Sequence, residues 1–220
     1  MIHRFISYLA DFSVLIPVVF ALLLLKTTKV SHLDKTSKIV LGFVLLTLLR
    51  NGLTSILAQI GVFNIYIYNW YNLISFVLVA VLYYLTFQNR YFKGLALLLL
   101  FVSILIACLD LPSLLDVKTV SFNNFSYHAS GGFTILLILI YYFELLKYLT
   151  VPKLGSSPLF WFSSGALFYY SGTIFSYIFI NYTFNNLASR DQYWVVDALL
   201  SVVLNIFLTF SVWYMKPRPS

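Results

Sequence analysis

Three ionisable side chains stand out inside long apolar runs: Asp11, Arg50 and Asp197. A charge near the middle of a membrane helix costs roughly 2.5–3.5 kcal/mol on insertion scales, so it faces a bundle interior or water and takes partners. One reading is a structural ion pair that pins helices together. The other is a ligand or proton site in which Arg50 supplies a fixed positive charge. The two are compatible.

Amides and hydroxyls extend the pattern. Residues four apart share a helix face, and Asp197, Ser201, Asn205 and Thr209 form an unbroken i, i+4 line. Thr47, Asn51, Thr54 and Ser55 surround Arg50, and Asn69, Asn72 and Ser75 stand near the start of the next apolar run. For one Ser or Thr alone, an interhelical hydrogen bond worth about 0.6 kcal/mol is the simpler explanation. Three runs carrying Arg, Asp and Asn at similar depth predict more, namely a polar pocket open toward the outside. In it Arg50 meets an anionic or carbonyl-bearing ligand, Asp197 and Asp11 balance the charge, and Asn51, Asn69, Asn72 and Asn205 orient the ligand. Tyr170 and Tyr177 reach toward it from an aromatic run in which Gly165 and Gly172, seven apart, permit close helix approach. Glu144 and Lys147, three apart, predict a local salt bridge.

Other chemistries lack their residues. A retinal Schiff base needs a mid-span lysine, and every lysine lies at a run's end or in a loop. No HExxH, no Gly-x-Gly-Asp and no glycine-rich phosphate loop occurs. His3, His32 and His128 fall outside the apolar runs and on both sides of them, and Cys108, expected as a small apolar filler, has no second cysteine. The expectation is therefore no enzyme, no cofactor and no metal.

The elements that position these residues follow from composition. Of 220 residues 61% are hydrophobic and 10% charged, against about 45–50% and about 25% in a soluble domain. A bilayer-spanning helix needs about 20 apolar residues, and seven runs qualify, approximately 6–25, 39–60, 65–87, 92–109, 129–149, 159–180 and 193–215. The runs are too long, and alternate too little, for barrel strands. The expected fold is all-α, one seven-helix transmembrane domain over residues 1–220. The fourth run is the most uniformly apolar and suits a peripheral helix. Pro17 and the Gly131-Gly132 pair are candidate kinks.

Cations set the orientation, because cytoplasmic loops retain them. Lys26, Lys29, Lys35, Lys38, Arg90, Lys93, Lys147, Lys153, Lys216 and Arg218 fall on one side, and Arg4, Lys118 and Arg190 on the other. That places the N-terminus outside and the C-terminus in the cytoplasm. The first run, interrupted by Asp11 and followed by no small-x-small site, reads as a retained span rather than a signal peptide. The scattered cations form no continuous basic patch, which argues against a nucleic-acid partner. The segment Asp110–His128 is expected as a partly ordered external cap.

Two resemblances add to this. Trp70–Phe87 can be laid on Tyr193–Phe210, and Arg50-Asn51-Gly52 on Tyr170-Ser171-Gly172. This three-plus-one-plus-three plan resembles sugar transporters of the SWEET type, without their Pro-Gln loop motif, and it keeps open a small-solute or proton-coupled transporter. The runs Tyr142-Phe143-Glu144-Leu145-Leu146, Pro158-Leu159-Phe160-Trp161-Phe162-Ser163-Ser164-Gly165, Phe168-Tyr169-Tyr170-Ser171-Gly172 and Trp194-Val195-Val196-Asp197 resemble an uncharacterised family of small seven-helix membrane proteins common in Bacteroidota. That family carries no established activity. Its members often lie near sensor histidine kinases, which implies a sensor in the bacterial inner membrane with a membrane sensor kinase or another membrane protein as partner. Where the family has a His in the seventh span this chain has Asp197, and where it has an acid in the third it has Asn72. A purely structural membrane subunit is the third class.

Overall fold

In a computed structural model the described residues are 2–61, 64–116, 125–148, 153–183 and 187–215, and all regular structure among them is helical. The helices are α1 (Ile2–Ser13), α2 (Leu15–Thr27), α3 (Lys35–Gln59), α4 (Ile65–Thr86), α5 (Arg90–Leu109), α6 (Leu111–Leu115), α7 (Phe125–Tyr148), α8 (Pro158–Thr183) and α9 (Leu187–Trp213). Six stretches are long and apolar enough to cross a membrane: Tyr8–Thr27 across α1 and α2, Lys35–Gln59, Tyr66–Thr86, Arg90–Leu109, Phe125–Tyr148 and Val195–Trp213. The chain is thus an all-helical protein with several membrane-spanning candidates. At 26 residues α8 is long enough, but its Tyr, Trp, Ser and Gly dilute its apolar content, so it is not among the six.

The boundaries have local causes. Pro17 has no N–H for the carbonyl of Ser13, and its ring crowds that carbonyl. The first run accordingly breaks at Val14, between α1 and α2, and Val18 N–H reaches the Val14 carbonyl at a long 3.4 Å. The other candidate kink does not interrupt its helix, since α7 runs through Gly131-Gly132 unbroken. At the start of α3, Asp34 accepts from the Thr36 hydroxyl and the Ser37 N–H. Burial alone would raise the Asp34 carboxyl, but the hydrogen bonds from Ser37 and Thr36 outweigh it and hold the group below its ordinary value. Asn89 caps α5 by accepting from Tyr91 N–H at 2.9 Å.

The residues form two compact units, Met1–Ser37 with Lys153–Ser220, and Lys38–Pro152. In the first, α9 is central and packs on α8, α1 and α2. Gly165 and Gly172 make the α8–α9 seam: a Cβ on Gly165 would sit 2.5 Å from Phe207 Cβ, and one on Gly172 2.6 Å from Leu200 Cδ2. Trp161 closes the seam's other end, stacking on Phe210 at 4.7 Å and donating its Nε1–H to the Gly155 carbonyl at 2.7 Å.

In the second unit α4 is central. It packs on α5 and α7 and meets α3 through Phe43 and Tyr71. The fourth run is the least buried of the six candidates, as a peripheral helix should be. Its buried face is a stripe of Ala96, Leu99, Ser103 and Ala107, while Cys108 is exposed rather than packed as a filler.

Carboxylates tie α7 down at both ends. Asp110, at the end of α5, accepts from Ser126 N–H at 2.9 Å. This draws the helix start back to Phe125, four residues earlier than the apolar run begins, and α6 occupies part of the expected cap. At the far end the two Glu144 oxygens accept from Gln88 N–H (3.1 Å) and Asn89 N–H (2.9 Å). The expected Glu144–Lys147 salt bridge is therefore replaced. Two converging backbone donors hold the carboxylate inward, and Lys147 Nζ lies over the Phe143 and Tyr148 rings.

The buried faces also bear on the internal repeat. The register that lays Arg50-Asn51-Gly52 on Tyr170-Ser171-Gly172 sets buried Asn51 against exposed Ser171. One residue away, Phe43, Val44, Thr47, Arg50, Asn51 and Thr54 fall on Phe162, Ser163, Ala166, Tyr169, Tyr170 and Thr173, every pair buried and two identical.

Candidate functional site

Arg50 lies on the buried face of α3 with Phe43, Thr47, Asn51 and Thr54, a spacing of three and four that one helix face imposes. It is 6% exposed. Its Nε and Nη2 donate to the same Asn51 Oδ1, at 2.9 and 2.7 Å. Its Cζ stands 4.6 Å from the Tyr71 ring centroid and 5.3 Å from that of Tyr68. A guanidinium over ring faces gains about 2 kcal/mol when desolvated, so α4 supplies an aromatic floor and α3 an amide wall. Thr47 fixes that floor. Its hydroxyl donates to the Phe43 carbonyl at 2.9 Å, so it accepts from the Tyr71 hydroxyl at 3.2 Å and holds the ring in place.

The other two amides expected beside Arg50 are turned from the Tyr68 and Tyr71 face of α4 to different degrees. Successive residues turn by about 100°, which carries Asn69 well away from that face and leaves Asn72, four residues after Tyr68, at its edge. Asn72 instead donates through Nδ2 to the Tyr127 carbonyl (2.9 Å) and to Ser130 Oγ (2.6 Å), both on α7. Asn69 is 2% exposed, and neither Oδ1 nor Nδ2 has a hydrogen-bond partner. Of the three amides expected around Arg50 in this unit, Asn51 is the one that the contacts just described join to it.

In the first unit, Asp197 Oδ1 accepts from the Tyr169 hydroxyl at 3.4 Å. The sequence pattern points to Tyr170, and the neighbouring Tyr169 also reaches the acid; Tyr170 is buried edge-on against Tyr169, and the side chain of Tyr177 lies outside those described. Asn205 is 1% exposed and donates to Ser13 Oγ at 2.7 Å. Ser13 in turn donates to the Ala10 carbonyl at 2.7 Å, so Asn205 joins α9 to the last turn before the Pro17 break. Asp11, on the last turn of α1, is at the surface.

Tyr68, Tyr71, Ser13, Tyr169 and Ser130 are contributors that the sequence pattern misses. The two tyrosines carry a signal: an i, i+3 aromatic pair one span after a mid-span arginine. The others depend on which helix packs against which. Among the described residues no three His, Cys, Asp or Glu side chains gather as a metal site would require. No family model, no curated protein and no solved structure matches this chain.

Proposed function

We propose that this is a seven-span inner-membrane protein, N-terminus outside, that acts as a receptor-like sensor for a small anionic or carbonyl-bearing molecule and signals through a partner membrane protein. The observation that carries this reading is Arg50, a guanidinium buried midway along α3 and positioned over two tyrosine rings. A structural cation needs a counter-charge only. A ring floor set by the Thr47–Tyr71 hydrogen bond also fixes the direction of the guanidinium fork, as recognition of a planar carboxylate needs. The ten-to-three cation asymmetry supports the orientation, and the length of α8 supports its counting as the remaining span. The family resemblance supports a sensor kinase as the partner.

The test is thermal unfolding of the purified protein in detergent across a series of acetate, succinate and glutamate concentrations. Binding to the folded state raises apparent stability by RT ln(1 + [L]/Kd), about 2.7 kcal/mol at a hundredfold excess over Kd. The expected result is a saturable rise that Arg50→Leu abolishes and Tyr68→Leu weakens. A rise that survives in Arg50→Leu sinks the assignment.

A transporter is the second reading, favoured by one observation. Each unit is organised on the helix that the repeat alignment pairs with its counterpart, α4 in one and α9 in the other, and the buried faces of α3 and α8 match one residue away from the aligned register. On that reading Asp197 changes protonation during the cycle while Tyr169 holds its neutral or ionised form in place. Proteoliposomes should then show pH-dependent uptake of the same carboxylates, lost in Asp197→Asn. Uptake indifferent to pH, or to that substitution, removes the transport reading.

A further inference from the structure

We infer that the second unit holds another ligand site, uncharged and separate from Arg50, between α4, α5 and α7, and that it takes a small neutral molecule bearing a hydroxyl or an amide. Two side chains carry this. Asn69 is 2% exposed with both polar atoms unpartnered, and Ser103 is 1% exposed with its hydroxyl unpartnered. A buried polar group without a partner forfeits its hydration with nothing in return, and native structures keep few of them without an occupant or a role.

The helix geometry brings the groups together. Asn69 shares its side of α4 with Asn72 and Phe76, which meet α7 through Ser130 and Phe133. Ser103 lies on the face of α5 that packs on α4 and α7. Because α4 and α5 are joined by just Phe87, Gln88 and Asn89, residues equally far from Gln88 stand at the same level. Asn72 and Ser103 nearly do, and Asn69 is one turn further toward the end that Asp110 and Ser126 tie.

The chemistry of the group selects the ligand. Two amides and two hydroxyls offer donors and acceptors in similar number and no net charge. Among these four side chains an anion would find no cation, and a cation would meet the Asn69 and Asn72 N–H groups. A hydroxyl or primary amide, donor and acceptor at once, satisfies an asparagine side chain on both of its atoms. The polar atoms of Asn69 and Ser103 are shut away from any water-sized space in this conformation. Entry therefore requires the helices around them to part, and the Asn72–Ser130 hydrogen bond is an α4–α7 link that such a movement would strain, which links occupancy to helix movement. This last step rests on the receptor-like reading; the site itself does not.

The experiment is thermal unfolding of the full chain in detergent with acetamide and with glycerol, against sodium acetate and choline chloride as charged controls. It uses the wild type, Asn69→Leu, Ser103→Ala and Arg50→Leu. General solvation changes stability linearly and alike in all variants, upward for excluded glycerol and downward for urea-like acetamide, whereas a site saturates. The expected result is a saturable component for the neutral probes, retained in Arg50→Leu and with its half-saturating concentration raised about tenfold in Asn69→Leu and in Ser103→Ala. If Asn69→Leu does not fold, Ser103→Ala alone decides, and an unchanged half-saturation there overturns the proposal. A purely linear response in every variant means that water alone meets the amide, and also overturns it. So does a saturable response to acetate or choline that depends on Asn69. Loss of the neutral response in Arg50→Leu would merge the two sites and overturn their separation.

Discussion

Gly165→Ala should lower the unfolding free energy in detergent by about 1–3 kcal/mol, the usual cost of overpacking a well-filled interior, and Gly172→Ala should cost clearly less. On propensity alone both changes would stabilise α8, by about 1 kcal/mol each, so the sign is set by what the new methyl meets. At Gly165 it meets Phe207 Cβ at 2.5 Å, an atom one bond from the α9 backbone, which moves only if the helix moves. At Gly172 it meets the δ-carbons of Leu200, at 2.6 and 2.7 Å, which another rotamer can withdraw. Lipid removes most of the hydrophobic drive between helices, so close packing at small residues supplies much of the attraction. Separating α8 from α9 at Gly165 also loosens the stacking of Trp161 on Phe210 and the Tyr169–Asp197 contact. Equal destabilisation by the two alanines in thermal unfolding would show that the seam adapts as a whole, contrary to this account.

That seam is legible in the sequence, because two glycines seven apart in an aromatic run have few other uses. The spans are legible for a similar reason: bilayer-length apolar runs bounded by lysines, and Pro17 marking a break that the geometry of proline imposes. Features that depend on a neighbour distant in the chain are not. The α7 helix starts at Phe125 because Asp110, sixteen residues away, takes the Ser126 N–H. Glu144 has a visible partner three residues on, yet its actual donors lie 56 and 55 residues away. Asn69 and Asn72 are buried, as their place in an apolar run suggests. Their position in the chain says nothing about whether α3 or α7 stands on that side of α4, and the rotation of α4 divides the expected amide shell into an Arg50 part and an α7 part.

This division changes what each polar residue is asked to do. On α3, Arg50 and Asn51 are joined to each other and to α4 rings, a charged group held rigid on one side. Around the helix toward α7 the amides are neutral and only half engaged: Asn72 reaches α7, and Asn69 has no hydrogen-bond partner. That side is nonetheless packed, on α5 and on α7 through Asn72–Ser130 and Phe76–Phe133, so what it leaves open is hydrogen bonding at Asn69 rather than contact.

Glu144→Ala should be among the most damaging single substitutions in the second unit, at about 1.5–3 kcal/mol for each charge-assisted hydrogen bond lost. The carboxylate is 5% exposed, and its two oxygens separately accept from Gln88 and Asn89 N–H in the turn that joins α4 to α5. Alanine leaves both backbone donors without this acceptor and frees the turn that Asn89 also shapes by capping α5. Glu144→Gln separates charge from shape. It retains one acceptor oxygen, but its amide N–H₂ faces the second backbone donor, so the variant should recover part of the loss and no more. A local salt bridge with Lys147 predicts a different ranking, in which Lys147→Ala is as harmful as Glu144→Ala. Because Lys147 Nζ lies over the Phe143 and Tyr148 rings instead, Lys147→Ala should fall within about 0.5 kcal/mol of wild type, as surface substitutions do. Thermal unfolding of the three variants decides the matter, and equal losses for Glu144→Ala and Lys147→Ala would refute the turn-clamping role.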